Sequence, residues 1–207
     1  MKFNELNQVA DEYNLGGNGG DWMKLQKGDN RIRVVSEYEA LAKHFSADRK
    51  TPPTICVGAK NGCSICAQMH EYTEAHKEDE KKTSNPFKPT VKFLMWVIDR
   101  LDGKFKIIEA GWTVVAAIRD LGEDAEYKFD PETNLPPYDL NVKKTVLNPT
   151  PSGTEYSVIA NRQNTPLTPE ELAAIPALKP IKEIVDTIKA KALVSPAAAA
   201  DAAKAPF

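Results

Sequence analysis

Three cysteines within a short polar segment are the residues of this sequence best suited to chemistry. Cys63 and Cys66 are separated by two residues, and at this spacing two thiolates can hold one ion from a tight turn, as in tetrahedral zinc sites. Cys56 lies seven positions before Cys63 and could supply a third sulfur, while Gly58 and Gly62 allow sharp backbone turns. Because three is an odd number of cysteines, the pattern predicts one structural Zn²⁺ rather than disulfides.

A fourth ligand would come from one of three histidines. His44 lies at the end of a predicted strand and would close a ribbon-like site in the order His, Cys, Cys, Cys. His70 lies one helical turn after Cys66 and could reach the same ion. His76 lies in a run of charged residues and is expected to be solvated. The sequence favours His44 and leaves His70 open.

The cysteines have two other conceivable uses. They could be small buried hydrophobic residues, but the Gly, Asn, Lys and Ser around them do not make an apolar pocket. A redox pair would usually open a helix inside a strand–helix–strand unit, which the sequence does not indicate. Metal binding is therefore the preferred interpretation.

The sequence carries no motif typical of a catalytic site. Zinc deaminases place a proline before their Cys-x-x-Cys pair, whereas Gly62 precedes Cys63 here. No His-Glu-x-x-His, Walker loop, Gly-x-Ser-x-Gly or dinucleotide-binding glycine motif occurs. We therefore predict a closed structural metal site in a protein that is not an enzyme and takes no small-molecule substrate.

The elements that must position these residues are mainly strands. Alternating apolar residues and turn signals predict six strands, with one short helix between the fourth and the fifth. Such a pattern is typical of a small barrel, and we predict an OB-fold with an inserted zinc-binding subdomain and a C-terminal helix. The predicted strands cover residues 31–35, 41–45, 90–100, 104–109, 138–147 and 155–162, and the helix covers 112–121.

The charge pattern points to an anionic ligand. The formal net charge is −2, but residues 22–119 carry +5 between acidic ends of −3 and −4. On the strand 90–100, Trp96 lies between basic residues of the same parity. A lone tryptophan on a strand belongs to the core more often than to a stacking platform, but the collective pattern leads us to predict an open face where a base stacks and cations bind phosphate. The predicted nucleic-acid contacts are Arg31, Arg33, Lys43, Phe45, Phe87, Lys88, Lys92, Trp96, Arg100, Lys104 and Lys106.

The remaining segments complete the predicted organisation. We predict a flexible arm over 1–21, a core over 22–165 with the zinc subdomain at about 44–88, a helical segment over 168–194 and a disordered tail over 195–207. Thr168 and Glu171 form a capping-box signal at the start of the helical segment. No apolar run is long enough to cross a membrane and no export signal is apparent, which predicts a cytoplasmic protein without a membrane partner.

The order of these features resembles the helix-destabilising single-stranded DNA-binding proteins of tailed phages, which are OB-folds with a zinc subdomain. The similarity covers roughly residues 21–165. It is carried by residues 21–25, 31–36, 42–45, 54–56 and 63–68 and by the strand pair at 91–109.

The resemblance implies zinc ligation by His44, Cys56, Cys63 and Cys66, and a cleft between zinc subdomain and barrel that holds single-stranded DNA. It also implies a role in phage DNA replication, recombination and repair, in the host cytoplasm, beside a polymerase, a helicase or recombination proteins. Residues 1–21 depart from the family because they are acidic, and the family's long acidic tail is missing. The terminal Pro206-Phe207 is similar to the end of bacterial single-stranded DNA-binding proteins.

The expected function is to coat and protect single-stranded DNA with little sequence preference. The alternative is a zinc-ribbon adaptor that binds protein partners in a replication or transcription complex through the helix at 181–193. That adaptor would expose the apolar stripe of Ile181, Ile184, Val185 and Ile188 and would not respond to oligonucleotides.

Overall fold

The computed structural model describes residues 21–45, 53–78, 85–148, 153–161 and 166–194. The predicted N-terminal arm, except for its last residue, and the predicted tail lie outside these residues. Within them, the chain forms a mixed eight-stranded β-sheet with helices packed on both faces. None of the helices in these ranges has the length and apolar character needed to span a lipid bilayer.

The sheet is antiparallel except where its first strand runs parallel to the sixth. The strands pair in the order β1-β6-β5-β2-β7-β8, and β3 joins β5 to the short β4. The strands are β1 (Asp21–Met23), β2 (Gly28–Val34), β3 (Glu39–His44), β4 (Thr54–Ile55), β5 (Thr90–Asp99), β6 (Lys104–Ala110), β7 (Leu140–Val146) and β8 (Thr154–Ala160). The helices are α1 (Ser64–Ala75), α2 (Trp112–Glu123), α3 (Pro169–Ala174) and α4 (Ile181–Val194).

The predicted OB barrel is not confirmed, because the sheet is open. A barrel needs every strand paired on both edges, but β1 and β8 lie at opposite ends of the pairing order, and no ladder joins them among the described residues. The strand predicted at 41–45 follows β2 in the chain but does not pair with it. Instead β3 pairs with β4 and with the first half of β5, because β7 and the second half of β5 occupy the two edges of β2.

Several local predictions are confirmed. The long strand and its hairpin form β5 and β6, and Gly103 in the turn has φ +70°, the left-handed conformation that glycine adopts without strain. The capping box is present, since Thr168 Oγ1 accepts from Glu171 N at 3.2 Å and Thr168 N donates to the Glu171 carboxylate at 2.9 Å.

Two hydrophobic clusters lie on opposite faces of the sheet. On one face α2 places Val114, Val115 and Ile118 against the strands. On the other face α4 inserts its apolar stripe, of which Ile184 and Val185 are only 4% and 1% exposed. The central strand β5 is therefore buried on both faces, whereas the sequence predicted that one of them is open.

Candidate metal centre and the charged face of the sheet

The metal centre is assembled by the end of β3, the residue that follows β4 and the start of α1. His44 is the last residue of β3, and its pairing with Thr54 on β4 brings Cys56 alongside it. Cys63 is the N-cap residue of α1 and Cys66 lies in the first turn of that helix. The cluster thus draws on three neighbouring elements.

The four ligand atoms converge on one point. They all lie within 4.8 Å of one another, and all four residues are buried. The Sγ atoms of Cys56 and Cys66 are 3.3 Å apart, and His44 Nε2 lies 3.5 Å from Sγ of Cys63 and of Cys66. Tetrahedral zinc, with Zn–S of about 2.3 Å and Zn–N of about 2.0 Å, places sulfurs about 3.8 Å apart and sulfur and nitrogen about 3.5 Å apart. These side chains could hold one metal ion.

Neighbouring backbone groups orient the ligands. His44 Nδ1 donates to the carbonyl of Phe87 at 2.9 Å, which leaves Nε2 as the acceptor that a metal needs. The turn before Cys63 depends on Gly58 and Gly62, whose φ angles of +88° and +82° lie in the region that glycine tolerates best. Cys63 N donates to the Gly58 carbonyl at 3.2 Å, which closes the turn.

Burial of the cluster favours the uncharged forms of its side chains in the absence of a cation. Burial lowers the pKa of His44, so its imidazole is held neutral. Burial, reinforced by the two other thiols, raises the pKa of Cys66 to about 12. Because zinc binds thiolates, metal uptake must release protons, and the affinity for metal falls as the pH is lowered.

The other two histidines lie away from the cluster. His70 is exposed on α1. His76 stacks on the ring of Tyr72 with 4.0 Å between ring centroids and donates through Nδ1 to the Tyr72 carbonyl at 2.8 Å. Of the three candidates that the sequence offered, His44 is the one that joins the cysteines.

A second cluster surrounds Asp139, whose side chain is completely buried at the start of β7. Arg31 Nε donates to its Oδ2 at 2.9 Å, and Arg33 Nε donates to its Oδ1 at 3.0 Å. Arg100 Nε donates to Oδ1 at 3.1 Å, and Arg100 Nη1 donates to Glu171 on α3 at 2.5 Å. Burial lowers the pKa of Arg33, and the carboxylate of Asp139 opposes that effect. Two acids thus hold three guanidinium groups together.

Beyond this cluster the face of the sheet that carries α4 has an open half: among the described residues, no helix packs extensively over β7, β8 and the start of β2 on that face. Helix α4 packs on β3, β4 and β5, and cross-strand pairing places Arg31, Asn141 and Ile159 side by side on β2, β7 and β8. Lys143, also exposed, lies opposite Asp29 in the next row. A groove of about 340 Å³ runs over this face, lined by Asp29, Arg31, Asn141, Ile159, Ala160 and Asn161.

The prediction that Trp96 stands on an open face is wrong. Its ring is 4% exposed, belongs to the cluster beneath α4, and donates through Nε1 to the carbonyl of Lys179 at 2.9 Å. The sequence pattern could not reveal this, because the helix that covers the strand begins 85 positions later in the chain.

The side chains of the other predicted nucleic-acid contacts differ in how far they are exposed to solvent. Four of the basic side chains, Arg33, Arg100, Lys43 and Lys106, are largely buried and bonded to acids. Lys43 pairs with Glu109, and Lys106 pairs with Asp99 and Asp102. Lys88 and Lys104 are exposed, and 44% of the Arg31 side chain is exposed despite its bond to Asp139. Lys92, Phe45 and Phe87 are half-buried. These side chains do not form a single continuous surface.

Sequence reasoning missed Asp139 and Lys143. Asp139 lies between Tyr138 and Leu140 in a predicted strand, and a charge flanked by buried positions signals a counter-ion from elsewhere in the fold. Lys143 alternates with the buried Leu140 and Val142, which marks it as outward-facing.

Replacing Trp96 with alanine is expected to destabilise the fold rather than to act on a surface. Loss of a fully packed tryptophan costs about 3–5 kcal/mol, and here it also leaves the Lys179 carbonyl without its indole donor. Urea unfolding would measure the change. Leu101→Ala, at a position 90% exposed in the β5–β6 turn, is the control and should unfold like the wild type. A Trp96→Ala protein of wild-type stability would contradict this packing.

No protein-family model matches the chain, and no curated protein matches it. Its function must therefore be inferred from its own residues and from the resemblance that they carry.

Proposed function

We propose that this protein binds single-stranded DNA, is not an enzyme, and uses one structural zinc ion to hold its cysteine-bearing segment against the sheet. The observation that carries the proposal is the open half of the sheet, where Arg31 lines a groove together with Asp29, two asparagines and Ile159, and where Lys143 lies exposed opposite Asp29. Cations can take phosphates there, while amides and an apolar side chain suit unpaired bases.

The metal centre supports the same proposal. Its ligands occur in the order that the resemblance to phage single-stranded DNA-binding proteins implies, and the donor set of one imidazole and three thiolates suits Zn²⁺ better than a hard cation. Four protein ligands complete a tetrahedral shell and leave no position for a reactive water. We accordingly propose that the ion is structural and that its chemistry does not enter the function.

We also propose three features that the resemblance to phage single-stranded DNA-binding proteins implies. They are an OB-type arrangement of the strands, a strand-binding cleft between the zinc subdomain and the sheet, and a role in phage DNA replication, recombination and repair. The proposed partners are single-stranded DNA and, through protein contacts, a polymerase, a helicase or recombination proteins.

The test is a titration of fluorescently labelled oligonucleotides followed by anisotropy at several salt concentrations. We expect single strands to bind, duplex of the same length to bind weakly, and affinity to fall with salt, because each phosphate contact releases counter-ions. Absence of binding at low salt would overturn the proposal.

Removal of a single positive charge tests whether Lys143 contacts a phosphate of the bound strand. Lys143→Gln should weaken binding to all sequences and reduce the salt slope by about 0.7, the value expected for one lost phosphate contact on a single strand. The matched control is Lys182→Gln on α4, where the lysine is 71% exposed and lies outside the groove. Equal losses in both variants would mean that only general charge matters.

The adaptor alternative lacks the surface it was expected to use. Ile181, Ile184 and Val185 are buried against the sheet, and Ile188 packs against the same cluster. A protein partner would have to bind elsewhere, so we favour nucleic acid.

A further inference from the structure

Two large aromatic side chains are exposed on the face of the sheet that carries α2. Trp112, the first residue of α2, is 62% exposed and Tyr38, before β3, is 55% exposed. Both contact the buried ring of Phe93, with centroid distances of 6.0 Å for Trp112 and 5.4 Å for Tyr38. A protein gains by burying such rings, so paired exposure around one anchor marks a binding surface.

A guanidinium group completes this surface. Arg119 lies two helical turns after Trp112 and places its Cζ 5.9 Å from the centre of the indole ring. It is held there by Asp120 at 2.6 Å and by Glu123 at 3.8 Å. We call Tyr38, Phe93, Trp112 and Arg119 the aromatic patch.

The charges around the patch indicate what it would bind. Because Asp120 and Glu123 oppose Arg119, the patch offers phosphate no net positive charge. It offers two exposed aromatic rings, one of which carries a guanidinium group over one face, and exposed rings are the surfaces on which unpaired bases stack. A neutral planar ring complements it better than an anion does.

We propose that the aromatic patch is a base-stacking surface for single-stranded nucleic acid, with Trp112 as its principal ring. This inference rests on the proposed function and moves the stacking role from Trp96, which is buried, to a residue that solvent reaches. Phosphate contacts and base stacking are then made on different faces of the molecule, so a long strand would wrap around an edge of the sheet.

The tryptophans allow a direct test. Trp96 is buried and Trp22 is half-buried against the same cluster, so quenching of tryptophan fluorescence by oligo(dT) should come from Trp112. Trp112→Phe keeps an aromatic face and should bind nearly as well as the wild type but lose the quenching. Trp112→Ala should weaken binding by about 5- to 150-fold without changing the salt slope.

Controls separate this inference from the proposed function. Leu101→Ala removes an exposed apolar side chain outside the patch and should bind normally. Tyr38→Ala should also weaken binding at unchanged salt slope, and it tests the patch independently if Trp112→Ala is poorly folded. Failure of the wild type to bind any single strand would overturn the proposed function. Normal binding by both alanine variants, or quenching that persists in Trp112→Phe, would overturn the stacking role alone.

Discussion

Replacement of Cys63 by serine is expected to lower metal content and thermal stability together. Structural zinc contributes about 10–16 kcal/mol in small zinc-binding peptides, which is as large as the whole stability of a typical domain, about 5–15 kcal/mol. Losing even a third of that contribution should lower the melting temperature by about 10 °C or more. Elemental analysis and thermal unfolding of the same preparation would measure both quantities.

The control for this prediction is the adjacent position. Ser64→Ala changes an exposed residue on the first turn of α1 and should leave metal content at one ion per chain. Chelation of the wild type should reproduce the effect of Cys63→Ser, since α1 has Cys66 as its only buried residue and has little other packing to hold it. A wild-type protein that is fully folded without metal would remove the structural role of the ion.

Replacement of Asp139 by asparagine is the second change with a large expected effect. The carboxylate balances three guanidinium groups, and its removal leaves positive charges facing one another in a buried site. Breaking a buried pair costs about 3–5 kcal/mol, and we expect the lower end because 44% of the Arg31 side chain reaches solvent.

Denaturant unfolding of Asp139→Asn would measure this loss. The matched control is Asp186→Asn on α4, where the carboxylate pairs with Lys182 in a solvent-exposed contact that should matter little. An Asp139→Asn protein as stable as this control would mean that the arginines are held by other groups. Oligonucleotide affinity should be compared as well, because Arg31 loses the group that orients it beside the groove.

Features that depend on neighbours in the chain can be predicted from the residue order alone. The pair Cys63 and Cys66 is separated by two residues, so its capacity to hold an ion follows from spacing alone. The β5–β6 hairpin and the Thr168 capping box are likewise local, because a turn residue or a cap acts within a few positions. The choice of His44 over His70 needed the β3–β4 pairing, which brings His44 beside Cys56.

Packing between segments that are distant in the chain determines which side chains are exposed. Strand alternation shows which residues share a face of β5, but it does not show that α4 covers the face that carries Trp96. An amphipathic helix can pack on any surface that fits its apolar stripe. The partners of Asp139 lie as many as 108 positions away, and pairing with Asp139 buried Arg33 and Arg100, which alternation had suggested were open. Exposure of Trp112 follows in the same way, from where the packed helix α2 begins and ends on the sheet.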